Sequence, residues 1–133
     1  DLSDQAFDLH VKYGAQLPTM HSTMHIYPIN GAALHVGAHD TAWCYRDANF
    51  AQVIAGVDHD PQNNERTTQW AKEYWQAMHP YSAGGGYVNM IMDEGEERVK
   101  AAYGDNYGRL AQVKAQYDPQ NLFHVNQNIK PAR

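Results

Sequence analysis

His21-Ser22-Thr23-Met24-His25-Ile26-Tyr27-Pro28 changes character at every step: Met24 and Ile26 fall on one side, and His21, Thr23, His25 and Tyr27 on the other. A period of two belongs to a half-buried strand and not to a helix, whose apolar positions recur every three or four residues. The Asn30-Gly31 pair that follows favours a tight hairpin turn, so a return strand is expected over residues 32–36. Residues 41–46 and 50–57 are rich in aromatic or β-branched side chains and are separated by the polar Asp47-Ala48-Asn49, which reads as two further strands. Gly84-Gly85-Gly86 leads into a short apolar run over residues 87–92, also read as a buried strand. The expectation is an antiparallel sheet of about four to five strands.

Helical patterns flank these stretches. Residues 2–15 carry Ser3 as a cap, with Leu2 and Phe7 at the two positions of a hydrophobic staple. Asp60-Pro61 opens a second helix, in which Trp70, Ala71, Tyr74, Trp75 and Met78 share one side and which must stop near His79 ahead of Pro80. Residues 94–103 have acidic side chains in the first turn and Gly104 past the end. Asp105 can cap a last helix bearing Tyr107, Leu110, Val113 and Tyr117, ended by Asp118-Pro119. Strands mixed with helices define an α+β class, with the helices packed on one face of the sheet. The length of 133 residues suits one domain spanning residues 1–133.

Composition narrows the partners. Hydrophobic residues at 43% and charged ones at 19% belong to a folding chain and not to a disordered tail. A net charge of −5 with scattered cations leaves no basic stripe for phosphate, so nucleic acid is not an expected partner. No apolar run approaches the roughly 20 residues that cross a bilayer as a helix, so no membrane partner is expected either. The single cysteine, Cys44, excludes an internal disulfide and leaves the compartment undefined. It reads as a small buried strand residue.

Several short motifs point further when taken together. Tyr87-Val88-Asn89, Ala102-Tyr103-Gly104-Asp105-Asn106-Tyr107, Arg109-Leu110, Lys114, Tyr117-Asp118-Pro119, Asn121-Leu122-Phe123 and Asn126-Gln127-Asn128-Ile129 occur in this order and fill more than a third of the chain. In order and spacing they closely resemble the C-terminal signature of the berberine bridge enzyme-like FAD-linked oxidases. Upstream, Ile26-Tyr27-Pro28-Ile29-Asn30-Gly31-Ala32, Thr41-Ala42 and Arg46-Asp47 resemble strands of the same family's substrate domain. The resemblance implies the C-terminal part of a larger two-domain flavoprotein. In such a protein an N-terminal domain, absent from this sequence, holds FAD, and the present part covers the flavin ring and shapes a pocket for a small-molecule substrate. The start at Asp1, not Met, suits a fragment, and such a fragment alone is expected to retain neither FAD nor activity. His35 stands where many members place an arginine, and nothing around Cys44 matches the family's flavin-attachment motif.

By this resemblance Tyr87 takes the proton of a substrate alcohol as hydride passes to the flavin, and Asn89 holds the flavin or substrate. On a strand the two would project from one face. Asn126 and Asn128 either reach the flavin or satisfy the backbone of the turn in which they lie. Arg109, Lys114 and Asp118 match the family but read as pairs and caps of the last helix. His25 and Tyr27, on the polar face of the first strand, are candidates to line the substrate. No metal site is expected: His21 and His25 on a strand would stand about 13 Å apart, too far for one ion to bridge, although a loop could still join His35 to His39. A reading of a different class is a non-catalytic α+β module that self-associates, as a homo-oligomer, through the surface its FAD-binding domain would cover.

Overall fold

The computed structural model describes residues 2–133 and divides into two compact units. The first runs up to Ile29 and resumes over Ala48–Ala83; the second comprises Asn30–Asp47 and Gly84–Arg133.

The first unit is built on regular elements. Helix α1 (Asp4–Gly14) starts where the Ser3 side chain accepts the Ala6 N–H at 3.2 Å, as the capping pattern predicts. Leu2 and Phe7, expected as a staple across that cap, are both exposed. Strand β1 (Thr23–Pro28) pairs antiparallel with β2 (Phe50–Ala55) in the register His25 to Val53. Asp60 caps the turn Pro61–Asn63 through the Gln62 N–H, and helix α2 (Asn64–Met78) follows. The predicted apolar side of α2 is the core: Trp70, Tyr74 and Met78 are buried with Ala6 of α1, and Met24 of β1 and Ile54 of β2 pack against them. Trp75, counted in the same stripe, is exposed.

The α+β class holds, but the sheet has two strands among the described residues and not four to five. Residues 32–36 do not return beside β1. A type I′ hairpin needs positive φ at both central residues; here Gly31 has φ +60° whereas Asn30 is extended at φ −151°. The chain instead enters a 3-10 turn, Gly31–His35, whose Ala32-Ala33-Leu34 favour helical backbone over strand. The partner of β1 is the β-branched centre of β2, reached across an intervening excursion that belongs to the second unit.

That second unit holds helices α3 (Glu96–Tyr103) and α4 (Tyr107–Tyr117) but no strand. α4 follows a short 3-10 turn, Gly104–Asn106, and no side chain caps it, so the cap expected from Asp105 is not formed. Residues 41–46, expected as a strand, find other partners. The buried Asn106 donates its amide to the carbonyls of Ala38, Thr41 and Ala42 at 2.7–3.3 Å and accepts from His39 Nδ1 at 2.8 Å. Arg46, stacked on Trp43, donates to the carbonyl of Ala33. These carbonyls thus take their donors from side chains and not from a neighbouring strand. Cys44 accordingly lies in no strand and is half-buried; its Sγ sits 2.8 Å from where a Cβ on Gly104 would be. A Cβ on Gly85 would fall 1.9 Å from the Tyr45 ring, so that ring lies directly on the glycine backbone.

Candidate functional site

Tyr87 does not sit on a strand. It precedes a 3-10 turn, Val88–Met90, closed by the Met90 N–H on the Tyr87 carbonyl at 2.8 Å. The strand alternation expected to align Tyr87 with Asn89 is therefore absent. The turn brings them together by another route: Asn89 Nδ2 donates to Tyr87 Oη at 3.0 Å. Both residues are exposed, Tyr87 to 50%.

Asn89 lines a cleft of about 460 Å³ with Val88, Ile91, Tyr103, Val125, Asn126 and Gln127. Its volume lies within the range of small-molecule sites, roughly 300–1,000 Å³. Burial pushes the Tyr103 phenol above its ordinary pKa. The wall opposite Asn89 in sequence is the segment after α4, shaped by two asparagines with left-handed backbone, Asn121 (φ +54°) and Asn126 (φ +61°). Asparagine tolerates that region better than other side chains except glycine.

Asp118 anchors the start of this segment. Its carboxylate accepts the Leu122 N–H at 2.7 Å and the Phe123 N–H at 3.0 Å, and it pairs with Lys114, which also donates to the Phe123 carbonyl. The Lys114 ammonium first, then the two backbone N–H groups, hold the Asp118 carboxyl down at about 2. Lys114 and Asp118 thus act as pair and cap, and Arg109 donates to the carbonyl of His39 at 2.9 Å. Farther along, Asn128 N–H bonds the Asn126 carbonyl at 3.0 Å, and the buried Oδ1 of Asn128 has no hydrogen-bond partner. The residue between them, Gln127, donates to the carbonyls of Ile91 and Met92. Sequence reading named Gln127 within the motif over residues 126–129 but gave it no role, because nothing in its spacing marks a contact with residues so distant in the chain.

His25 and Tyr27 lie on β1 in the first unit, their rings parallel with centroids 5.8 Å apart and both exposed. Neither lines the cleft just described, nor the one of about 390 Å³ that Tyr13, Trp70, Arg66 and Glu73 help to form in the first unit. His21 meets His59 edge to face at 4.7 Å, and among the described residues no three His, Cys, Asp or Glu side chains gather as a metal-holding group. Among them, too, no helix is long and apolar enough to cross a membrane.

The cleft suits a flat, amide-bearing heterocycle such as the flavin ring. Primary amides from Asn89, Asn126 and Gln127 offer donors and acceptors, Val88, Ile91 and Val125 offer apolar surface, and the unsatisfied Asn128 Oδ1 is a buried acceptor in the same segment.

Comparison with known proteins finds the chain similar to segments of FAD-linked oxidoreductases. It is 30% identical over 132 residues to the uncharacterized FAD-linked oxidoreductase YgaK of Bacillus subtilis, taking in 99% of this chain and 29% of that protein. It is 33% identical over 103 residues to the uncharacterized FAD-linked oxidoreductase YvdP of the same organism, taking in 77% of this chain and 23% of the relative. In fold it is similar to the wild-type BBE-like 1 protein of Physcomitrella patens, with a TM-score of 0.80 and 24% identity over 99% of this chain and 28% of that one. Residues 86–130 match the family described as berberine and berberine like. Over that segment the chain is similar to the berberine bridge enzyme-like family, and it spans less than a third of the length of these relatives.

Proposed function

We propose that this chain is the substrate- and flavin-covering portion of an FAD-dependent oxidoreductase that oxidises an alcohol, sugar or secondary metabolite. Its partners in that role are the FAD-binding domain of the same parent protein and the small-molecule substrate. FAD, when bound, accepts the hydride. The observation that carries the reading is the Tyr87–Asn89 hydrogen bond at the edge of an amide-lined cleft. An N–H donated to the phenol oxygen favours its phenolate form, and as phenolate Tyr87 takes the proton of a substrate hydroxyl, becoming the neutral phenol as hydride leaves the substrate carbon. Asn89, Asn126 and Asn128 hold the cofactor. His25 and Tyr27, exposed side by side on β1 of the first unit, are the further residues proposed to meet substrate.

A positioned base is worth about 10²–10⁴ in rate. Tyr87→Phe in the full-length, flavin-containing protein is therefore expected to slow flavin reduction by substrate at least about 100-fold while bound flavin stays stoichiometric. An unchanged reduction rate removes Tyr87 from the reaction.

One observation favours a second reading, a self-associating module without catalysis. Leu122, Phe123 and Val125 are each more than 70% exposed, an apolar surface that soluble proteins cover by association. Sedimentation separates the two: a chain that stays monomeric at high concentration disposes of the second.

A further inference from the structure

We propose that Gln127 is a positioning residue of this site, a side-chain staple that holds the Tyr87–Asn89 turn against the cleft wall carrying Asn126. A primary amide has two N–H donors on one nitrogen. Gln127 Nε2 directs them at two consecutive carbonyls, Ile91 at 2.9 Å and Met92 at 3.0 Å, so the amide orientation is fixed by its partners. Ile91 is extended, at φ −94° and ψ 145°, with no neighbouring strand to receive its carbonyl, and the staple takes the place of a ladder there.

The turn is thus gripped on both sides. Upstream, Gly85 lies against the Tyr45 ring, whose hydroxyl donates to the Ala101 carbonyl. Downstream, Gln127 holds residues 91 and 92. Gln127 can do so because its own segment is anchored to α4 by Asp118 and Lys114, and again where the Ala132 N–H meets the Ala111 carbonyl at 2.9 Å. Asn89 and Asn126 line one cleft because the two chain segments bearing them are joined at this point. The functional consequence rests on the redox reading of Tyr87; the structural claim does not. A reacting group displaced by about 1 Å can lose on the order of 100-fold in rate, so releasing the turn should act on chemistry more than on folding.

The test uses the full-length flavin-containing protein labelled with 3-fluorotyrosine, the Tyr87 resonance being assigned by its loss in Tyr87→Phe. Gln127→Ala and Gln127→Glu are compared with the parent. Glutamate keeps the shape but at pH 7 turns a carboxylate on two carbonyls; below about pH 5 protonation restores one donor. Both variants are expected to shift or broaden the Tyr87 signal at pH 7 and to slow flavin reduction at least about tenfold with flavin still bound. The Gln127→Glu signal should return toward that of the parent at low pH. Should Gln127→Ala not fold, the pH pair within Gln127→Glu carries the comparison. A Tyr87 resonance unmoved in these variants overturns the staple, whatever the reaction. A resonance that moves while Tyr87→Phe reduces flavin at the parental rate supports the staple and removes the redox reading instead.

Discussion

In the first unit, large side chains on regular elements meet in a core: Trp70, Tyr74 and Met78 of α2 face Ala6 of α1, and β1 pairs with β2 residue by residue. In the second unit the buried apolar residues are Val99, Ala102 and Ala111, and the irregular backbone is held by two amide side chains, Asn106 and Gln127, reaching carbonyls far away in sequence. Burial on a periodic element leaves a repeating mark in the sequence. Capture of carbonyls by one amide leaves none. The candidate site lies in the unit organised the second way, where precise placement of a few polar groups matters more than bulk apolar contact.

Substitutions in the two units should make that contrast measurable. The largest effect is expected from Trp70→Ala, which opens the first unit's core and should cost about 3–5 kcal/mol in denaturant unfolding. Asn106→Ala should cost less, about 2–3 kcal/mol, by stranding the carbonyls of Ala38, Thr41 and Ala42. Hydrogen exchange read residue by residue should place each loss in its own unit; equal acceleration throughout by both variants would mean that the division is not energetic.

The smallest effect is expected from acid. Burial lowers the pKa of His10, which lies 2.6 Å from the Tyr74 hydroxyl, so the unfolded chain binds that proton more readily. The first unit therefore loses stability as pH falls below about 6.5. Asp118 is held at about 2, below its ordinary value, so its contribution is complete above pH ~4 and fades as pH falls toward 2. NMR signals around His10 should respond before the amides of Leu122 and Phe123; the reverse order would contradict the assignment of the two groups.

Legibility in the sequence followed the same division. The four helices could be read from the Ser3 cap, Asp60-Pro61, glycines and apolar spacing, although the cap expected from Asp105 does not form, and β1 from its alternation. The extra strands were misread because residues 41–46 and 87–92 have strand-like composition while their backbone carbonyls belong to Asn106, Gln127 and local turns. Only the folded chain reveals those partners. For the site, resemblance pointed to Tyr87 and Asn89, whose contact exists, but through a 3-10 turn and not through a pleat. The same resemblance quoted Asn126, Gln127 and Asn128 together and offered the two asparagines as flavin contacts or turn residues; it gave Gln127 no role, and the cleft that Asn126 and Gln127 line came from the folded chain.

The three glycines at residues 84–86 have the look of slack tether, yet each is keyed differently. Gly84 takes φ +86°, a mirror-image torsion costly to any L side chain, although the space around its α-carbon is open. Gly85 has no room at all beside the Tyr45 ring, and a methyl on Gly86 would press Ile91 at 3.1 Å. An alanine walk through this triplet should therefore meet a torsional penalty, then a collision, then a mild squeeze, the profile of a machined joint and not of a loose hinge.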